Sequence, residues 1–213
     1  MSKEVKIIIA IAVVVIGGGI WLFTRQPQTA APGQAVDAKS LLRDTSHMTG
    51  SKDAKVIVVE FGDYECPGCA AAEPNVERLR QEYKDNANVN FAFRNFPLPQ
   101  HRYALITAEA AEAAGAQGKF WEMHDKLYQA QGEWSASQSP LDLLANYAQQ
   151  LGLDVNKLKQ EVQNNTYADV IKADQSDATS LSVNSTPTFF INGEKTSGYQ
   201  YDELKSKIEE KLK

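Results

Sequence analysis

The sequence predicts an α/β domain carrying a helical insertion, with an apolar segment and a polar linker ahead of it. Three observations point there. A β-branched run, Val56–Phe61, leads into Cys66-Pro67-Gly68-Cys69 at the point where a helix should begin. A long helical stretch then separates this corner from a second apolar run that ends in Asn192-Gly193. An amphipathic segment closes the chain.

Composition bounds the possibilities. Of 213 residues, about 170 remain once the N-terminal segment and linker are set aside, which suits one domain with a good core. With a net charge of −5 and no Lys/Arg cluster, nucleic acid is not an expected partner. The 2 cysteines share one motif, so this is no disulfide-rich scaffold.

The elements follow in order. Ile7–Thr24 carries no charged residue. As a helix it spans roughly 27 Å, close to the ~30 Å hydrocarbon core. Lys3 and Lys6 precede it, Arg25 follows, and Trp21 sits where an interfacial anchor would. Residues 1–24 therefore read as a transmembrane signal anchor, with the basic end cytoplasmic. The alternative is a cleaved signal peptide, for which Thr29, Ala30 and Ala31 offer a cleavage site. The apolar run exceeds the usual 7–15 or so residues of such a peptide. The anchor makes this a single-pass protein of the cell membrane with an extracytoplasmic domain; either reading exports the domain. Residues 25–45 read as a flexible linker, poor in large apolar groups.

The domain is expected over 46–213. Val56–Phe61 reads as a buried central strand. A helix should run from Cys66 to about Tyr83, with Pro67 in its first turn and Pro74 kinking it. Val89–Arg94 is strand-like. The insertion, at about 100–182, is helical with breaks near Gly115–Gly118, Gly132–Pro140, Gly152 and Asn164–Asn165. Asn192-Gly193 signals a two-residue hairpin with a return strand over about Glu194–Gly198. Asp202–Leu212 is amphipathic, with Leu204, Ile208 and Leu212 on one stripe.

The chemistry sits at the cysteines. At a helix N-terminus, unpaired N–H groups and the macrodipole favour negative charge, and the thiolate is the reactive form. Cys66 is expected to be the exposed, attacked thiol, and Cys69 the resolving partner nearer the core. Pro67 and Gly68 shape the corner between them. Three other readings compete. A structural disulfide over so short a loop removes little unfolded-chain entropy. Zinc would need further ligands, and the spacing of His47, His101 and His124 matches no known site. An inert pair of reduced core thiols is the third. No cofactor and no metal are expected.

Glu60 lies inside the apolar strand. If the strand is buried on both faces, this carboxyl is desolvated, raised in pKa and able to exchange a proton with Cys69. If the strand is one-sided, Glu60 points to solvent. Asp63 and Glu65 are expected to be solvated loop charges with little influence. Thr186-Pro187 precedes the hairpin; composition alone does not make the bond cis.

Several segments together resemble one family. Val58-Val-Glu-Phe-Gly-Asp-Tyr-Glu-Cys-Pro-Gly-Cys69 is similar to the active-site segment of DsbA-like thiol–disulfide oxidoreductases of the thioredoxin superfamily, in their membrane-anchored form. Arg94-Asn-Phe-Pro-Leu98 with His101, Gln117–His124 and Thr186–Gly193 also resemble that family. The likeness covers about Ser51 to Lys211. It implies a thioredoxin fold with a helical insertion and a cis Thr186–Pro187 bond beside the cysteines. It implies that Thr186 and Pro187 offer backbone groups to an extended substrate, and that Glu60 is the family's buried acid.

The activity it implies is protein thiol–disulfide exchange, with introduction of disulfides into exported proteins ahead of reductase or isomerase work. A membrane redox partner, DsbB-like or vitamin-K-epoxide-reductase-like, would reoxidise the pair. A non-catalytic peptide-binding or metal-delivery module is the alternative outside enzymology. One departure stands out: the dipeptide is Pro-Gly where strongly oxidising members usually have Pro-His or Pro-Tyr. Backbone amides must then do more to hold a Cys66 thiolate.

Overall fold

Five strands form one sheet: β1 (His47–Met48), β2 (Val56–Gly62), β3 (Val89–Asn95), β4 (Thr188–Ile191) and β5 (Glu194–Lys195). Their spatial order is β1-β3-β2-β4-β5. β2 lies at the centre, parallel to β3 and antiparallel to β4. Helix α1 (Pro67–Tyr83) makes the crossover from β2 to β3, and α8 (Tyr201–Leu212) ends the chain. This is a thioredoxin fold. The computed structural model describes residues 35–213. The expected transmembrane segment at 1–24 lies outside them. Among the described residues no helix is long and apolar enough to cross a membrane.

β2 is buried along its whole length, as an unbroken apolar run requires when both faces of a sheet are covered. Alternation then sorts its side chains. Val56 and Val58 pack with Val76 and Leu79 of α1 and with Leu204 and Ile208 of α8. Ile57, Val59 and Phe61 pack on the other face with Leu41, Ala178 and Phe190. Glu60 has the parity of Val56 and Val58, so it points toward α1.

The insertion holds α2 (Ala104–Gly115), α3 (Phe120–Gln129), α4 (Gln131–Ser135), α5 (Pro140–Gln150), α6 (Val155–Gln163) and α7 (Ala168–Ser180). Gly118, Gly152 and Asn165 all adopt positive φ at its breaks. Gly132 falls inside α4, so that break lies on either side of it. α1 continues through Pro74. The return strand β5 is shorter than expected, and β1, a two-residue strand too short for a periodic signal, emerges only from its pairing with β3.

The expected linker at 25–45 needs correcting in its second half. Ala38–Leu41 forms a 3-10 turn, and Leu41 is fully buried. The Val36 N–H donates to the Gly193 carbonyl at 3.0 Å. Asn192 (φ 47°) and Gly193 (φ 81°) turn the β4–β5 hairpin, and a Cβ at 193 would lie 1.7 Å from the Val36 oxygen. A glycine chosen for its turn thus also seats the incoming chain. Polar composition hid this docking: Leu41 alone is fully buried, with Val36, Ala38 and Leu42 packed partly against the same cluster.

Arg94 anchors the same region. Fully buried on β3, it donates to Asp174 and Asp177 of α7, each at 2.6 Å, and to the Leu41 carbonyl. Arg43 binds the same Asp177 at 2.6 and 2.7 Å. Removing one partner of a buried ion cluster leaves uncompensated charge, at a cost of about 3–5 kcal/mol. Arg94→Met is expected to lower unfolding free energy by that amount, read from urea denaturation. A change under about 1 kcal/mol would show that the cluster is dispensable.

Candidate active site

β2 delivers the chain to the corner where α1 starts. Cys66 is the N-cap of α1 and Pro67 occupies the first helical position, where its missing N–H loses no hydrogen bond. Cys66, expected to be exposed, keeps only 8% exposure because the proline loop packs against it, while Cys69 is fully buried as expected; both are free thiols. The Thr186–Pro187 bond is cis, and the Cys66 sulfur lies 3.4 Å from the Thr186 carbonyl oxygen. A Cβ at Gly68 would stand 3.3 Å from Pro187 Cδ and 3.6 Å from the Cys66 sulfur. The bare Gly68 backbone lets the proline loop close onto the cysteine corner. Cys66, Cys69, Pro67, Gly68, Thr186 and Pro187 therefore share one place, with Glu60 beneath them.

The two thiols are driven apart electrostatically. Donation from the Cys69 thiol holds the Cys66 thiol down at about 5 against burial, and the backbone amides of Cys69 and Gly68 act in the same direction. The contact from the Cys66 S–H to the Thr186 carbonyl is open only to the protonated thiol. Once the proton leaves, the Thr186 hydroxyl, buried without a partner, is a donor placed to turn toward the thiolate. Burial pushes the Cys69 thiol far up, and its donation to Cys66 and the nearby Glu60 carboxyl add to the rise. One sulfur is poised as a thiolate and its neighbour is held neutral.

Glu60 is 4% exposed and makes no side-chain hydrogen bond among the described residues. Burial pushes its carboxyl well above the ordinary range; Glu73 and the Cys66 thiolate add to this, and Arg80 opposes it. Gly62, on the same strand face, makes room: a Cβ there would lie 3.0 Å from Glu60 Oε1 and 2.4 Å from the Phe93 ring. A small cavity beside Glu60 is bounded by Arg80, Phe93 and Trp121.

Behind it lies an ionic cluster absent from the sequence expectations. Arg80 donates to Glu73 at 2.7 Å and to Asp125. His124 meets Glu73 at 3.2 Å and the Tyr64 hydroxyl at 3.1 Å. Burial pushes the Glu73 carboxyl up, but contacts with His124 and Arg80 overcome it and hold the group below its ordinary value. Glu73, His124 and Asp125 bring ligand atoms within 4.8 Å of one another. The Arg80 guanidinium, bonded to both carboxylates, already supplies the positive charge that a metal would. The only sequence hint of this cluster was that Glu73, Arg80 and His124 fall on inward helix positions.

The loop ahead of Cys66 corrects another expectation. Asp63 is no solvated charge: it is 2% exposed and accepts from the Glu65 N–H, the Leu98 N–H and His101 Nδ1 at 2.7–2.8 Å. Glu65 accepts from the Tyr103 N–H. The charges turn inward because the loop between β3 and α2 presents unpaired donors there. Beside the corner, the proline loop and the residues after β5, Thr196 to Tyr199, line a polar groove of about 360 Å³ that reaches Gly68.

Comparison with known proteins agrees with this fold. A family model described as Thioredoxin matches residues 42–210. The Na(+)/H(+) antiporter NhaA 1 of Salinispora arenicola is 42% identical over 167 residues, 78% of this chain and 24% of that protein. The chain spans only 24% and 32% of the length of the first two curated relatives it matches. The probable disulfide bond formation protein D of Bacillus anthracis is 32% identical over 174 residues, 79% of each chain. The crystal structure of oxidised BdbD from Bacillus subtilis has a TM-score of 0.73 at 27% identity, covering 86% of this chain and 98% of that one.

In the reduced protein, thiolate absorbance is expected to titrate near pH 5 for Cys66, well below the ~8.5 of a free cysteine. A depressed folded-state value stabilises the reduced protein fully above the unfolded value, and that contribution is lost as pH falls from about 9 toward 5. The stability gap between reduced and oxidised protein should shrink over this window and level off below it. A gap independent of pH would contradict the asymmetry of the two thiols.

Proposed function

The chain belongs to the thioredoxin family, in its DsbA-like branch, and from that premise we propose that it is an extracytoplasmic oxidase that introduces disulfides into exported proteins. The observation that carries this reading is the placement of Cys66 at the open N-terminus of α1 beside a fully buried Cys69, where donation from Cys69 holds the Cys66 thiol down to about 5. A stable thiolate is a good leaving group and favours the reduced enzyme, which makes the disulfide oxidising.

A substrate thiolate attacks the Cys66 sulfur of the oxidised pair, and the Cys66–Cys69 bond breaks. The electron pair goes to Cys69, whose buried thiolate takes the proton held on Glu60. A second substrate thiolate then attacks the substrate sulfur of the mixed disulfide and releases Cys66 as a thiolate. Two electrons have passed from substrate to enzyme. A membrane quinone reductase, DsbB-like or vitamin-K-epoxide-reductase-like, takes them back as the pair reoxidises. Thr186 and Pro187 offer backbone to the extended substrate. The export reading rests on the uncharged segment Ile7–Thr24 and its basic flanks.

The reduction potential against glutathione is the direct test. A value nearer about −120 mV than about −270 mV fits the oxidase; one near −270 mV makes the pair a reductase instead. Cys66→Ser should abolish turnover, and Cys69→Ser should accumulate mixed disulfides with substrate proteins. If the second variant captures none, the order of attack is wrong.

Glu60→Gln separates proton transfer from folding. It removes the acid at constant shape, so exchange should slow by about tenfold or more while the melting temperature holds or rises. An unchanged rate would leave the carboxyl a bystander.

A further inference from the structure

Gln131 opens α4 in the helical insertion, far in sequence from the cysteine corner. Its side-chain Nε2 donates to the Tyr64 carbonyl at 2.7 Å and to the Cys66 carbonyl at 3.0 Å. The Cys66 carbonyl also accepts the first helical bond of α1, from the Ala70 N–H at 3.1 Å. One amide therefore ties the turn before the helix to the helix start itself. From the other side, the Cys66 N–H is tied to the Asp63 carbonyl at 3.1 Å.

We propose that Gln131 is a positioning residue for thiol–disulfide exchange: by fixing the Tyr64 and Cys66 carbonyls from the insertion, it aims the Gly68 and Cys69 amides at the Cys66 sulfur. The physical reason is geometric. Hydrogen bonds from those amides stabilise the thiolate only while the N-cap backbone keeps its angle to the first turn. With no side chain at Gly68 to help, that angle carries more of the stabilisation. Without Gln131 the Tyr64 carbonyl loses a donor, and the Cys66 carbonyl loses its tie to the insertion, so the turn is held only from the Asp63 and Glu65 side. This rests on the exchange chemistry proposed above, but not on its direction.

The test is the Cys66 thiolate titration in the reduced full-length protein, for wild type, Gln131→Met, Gln131→Glu and the control Gly132→Ala. Gln131→Met keeps the shape and removes the donor. It should raise the apparent Cys66 pKa by about half a unit, which halves the thiolate fraction and the alkylation rate near pH 5. Gln131→Glu also adds negative charge beside both carbonyls and should raise it further. Gly132 has open space around its Cα, so Gly132→Ala should leave the titration unchanged while showing that α4 tolerates substitution. The titratable neighbours of the sulfur, Cys69 on α1 and Glu60 on β2, are the same in wild type, Gln131→Met and Gly132→Ala, and only Gln131→Glu adds a carboxyl.

A wild-type value near that of a free thiol would sink the proposed function itself. A low wild-type value that stays put in both Gln131 variants, with cooperative melts, would overturn this inference alone. A shift in Gly132→Ala as large as that in Gln131→Met would also overturn it, since any disturbance of α4 would then suffice. If Gln131→Met does not fold, Gln131→Asn decides, because its shorter neutral amide withdraws the donor from both carbonyls without adding charge at this half-buried position.

Discussion

The first turn of α1 treats its two sulfurs in opposite ways, and the site depends on that difference. Cys66 sits just outside the helix, where amides without intrahelical partners point at it. Cys69 lies one turn on, on the inner face, with no access to water. The Cys69 thiol donates to Cys66, so the same hydrogen bond lowers one thiol and raises the other. Neither half would suffice alone. Two exposed thiolates would compete as leaving groups, and two thiols sealed as fully as Cys69 would meet no substrate; the 8% exposure left to Cys66 is its access.

The asymmetry needs a rigid floor, and β2 supplies it. Seven consecutive buried residues leave the strand no register in which Glu60 could face solvent. A one-residue slip would move Val56 and Val58 off α1 and drive the carboxyl into the opposite face. Gly62 completes the arrangement, because any larger residue there would collide with the Phe93 ring. The acid beneath Cys69 is thus fixed by apolar packing rather than by hydrogen bonds of its own. That packing disfavours the carboxylate, so the group keeps its proton until the more basic Cys69 thiolate forms beside it.

Much of this was legible in the sequence, because periodicity and special residues report on local backbone. The Val56–Phe61 run, the helix from Cys66, the turn at Asn192-Gly193 and the Leu204/Ile208 stripe all follow from patterns a few residues long. What stayed hidden depends on contacts between distant segments. Asp63 looked like a loop charge; only the arrival of Leu98 and His101 shows that it is a buried acceptor. Beyond the inward helix position of Arg80, nothing local marked it or Arg94 as buried; their carboxylate partners, Glu73 seven residues back on α1 and Asp125, Asp174 and Asp177 on other helices, explain it. The 3-10 turn at Ala38–Leu41 follows the same logic, since the groove that receives Leu41 is built by Ala92, Phe190 and Ala178.

The Pro-Gly dipeptide then takes on a meaning the motif did not supply. A side chain at position 68 would approach both Pro187 and the Cys66 sulfur, and so could stabilise the thiolate directly. Glycine forgoes that and lets the proline loop come closer. Stabilisation passes to backbone amides and to the Thr186 hydroxyl, and these act through direction rather than charge. Direction must be enforced from outside the helix. The Asp63 clamp, the Glu65 contact with the start of α2 and the Gln131 contact from α4 converge on residues 63–66 from three sides. The helical insertion is therefore more than a cover for one end of the sheet. In a corner that has given up a side chain, it holds the backbone that replaces it.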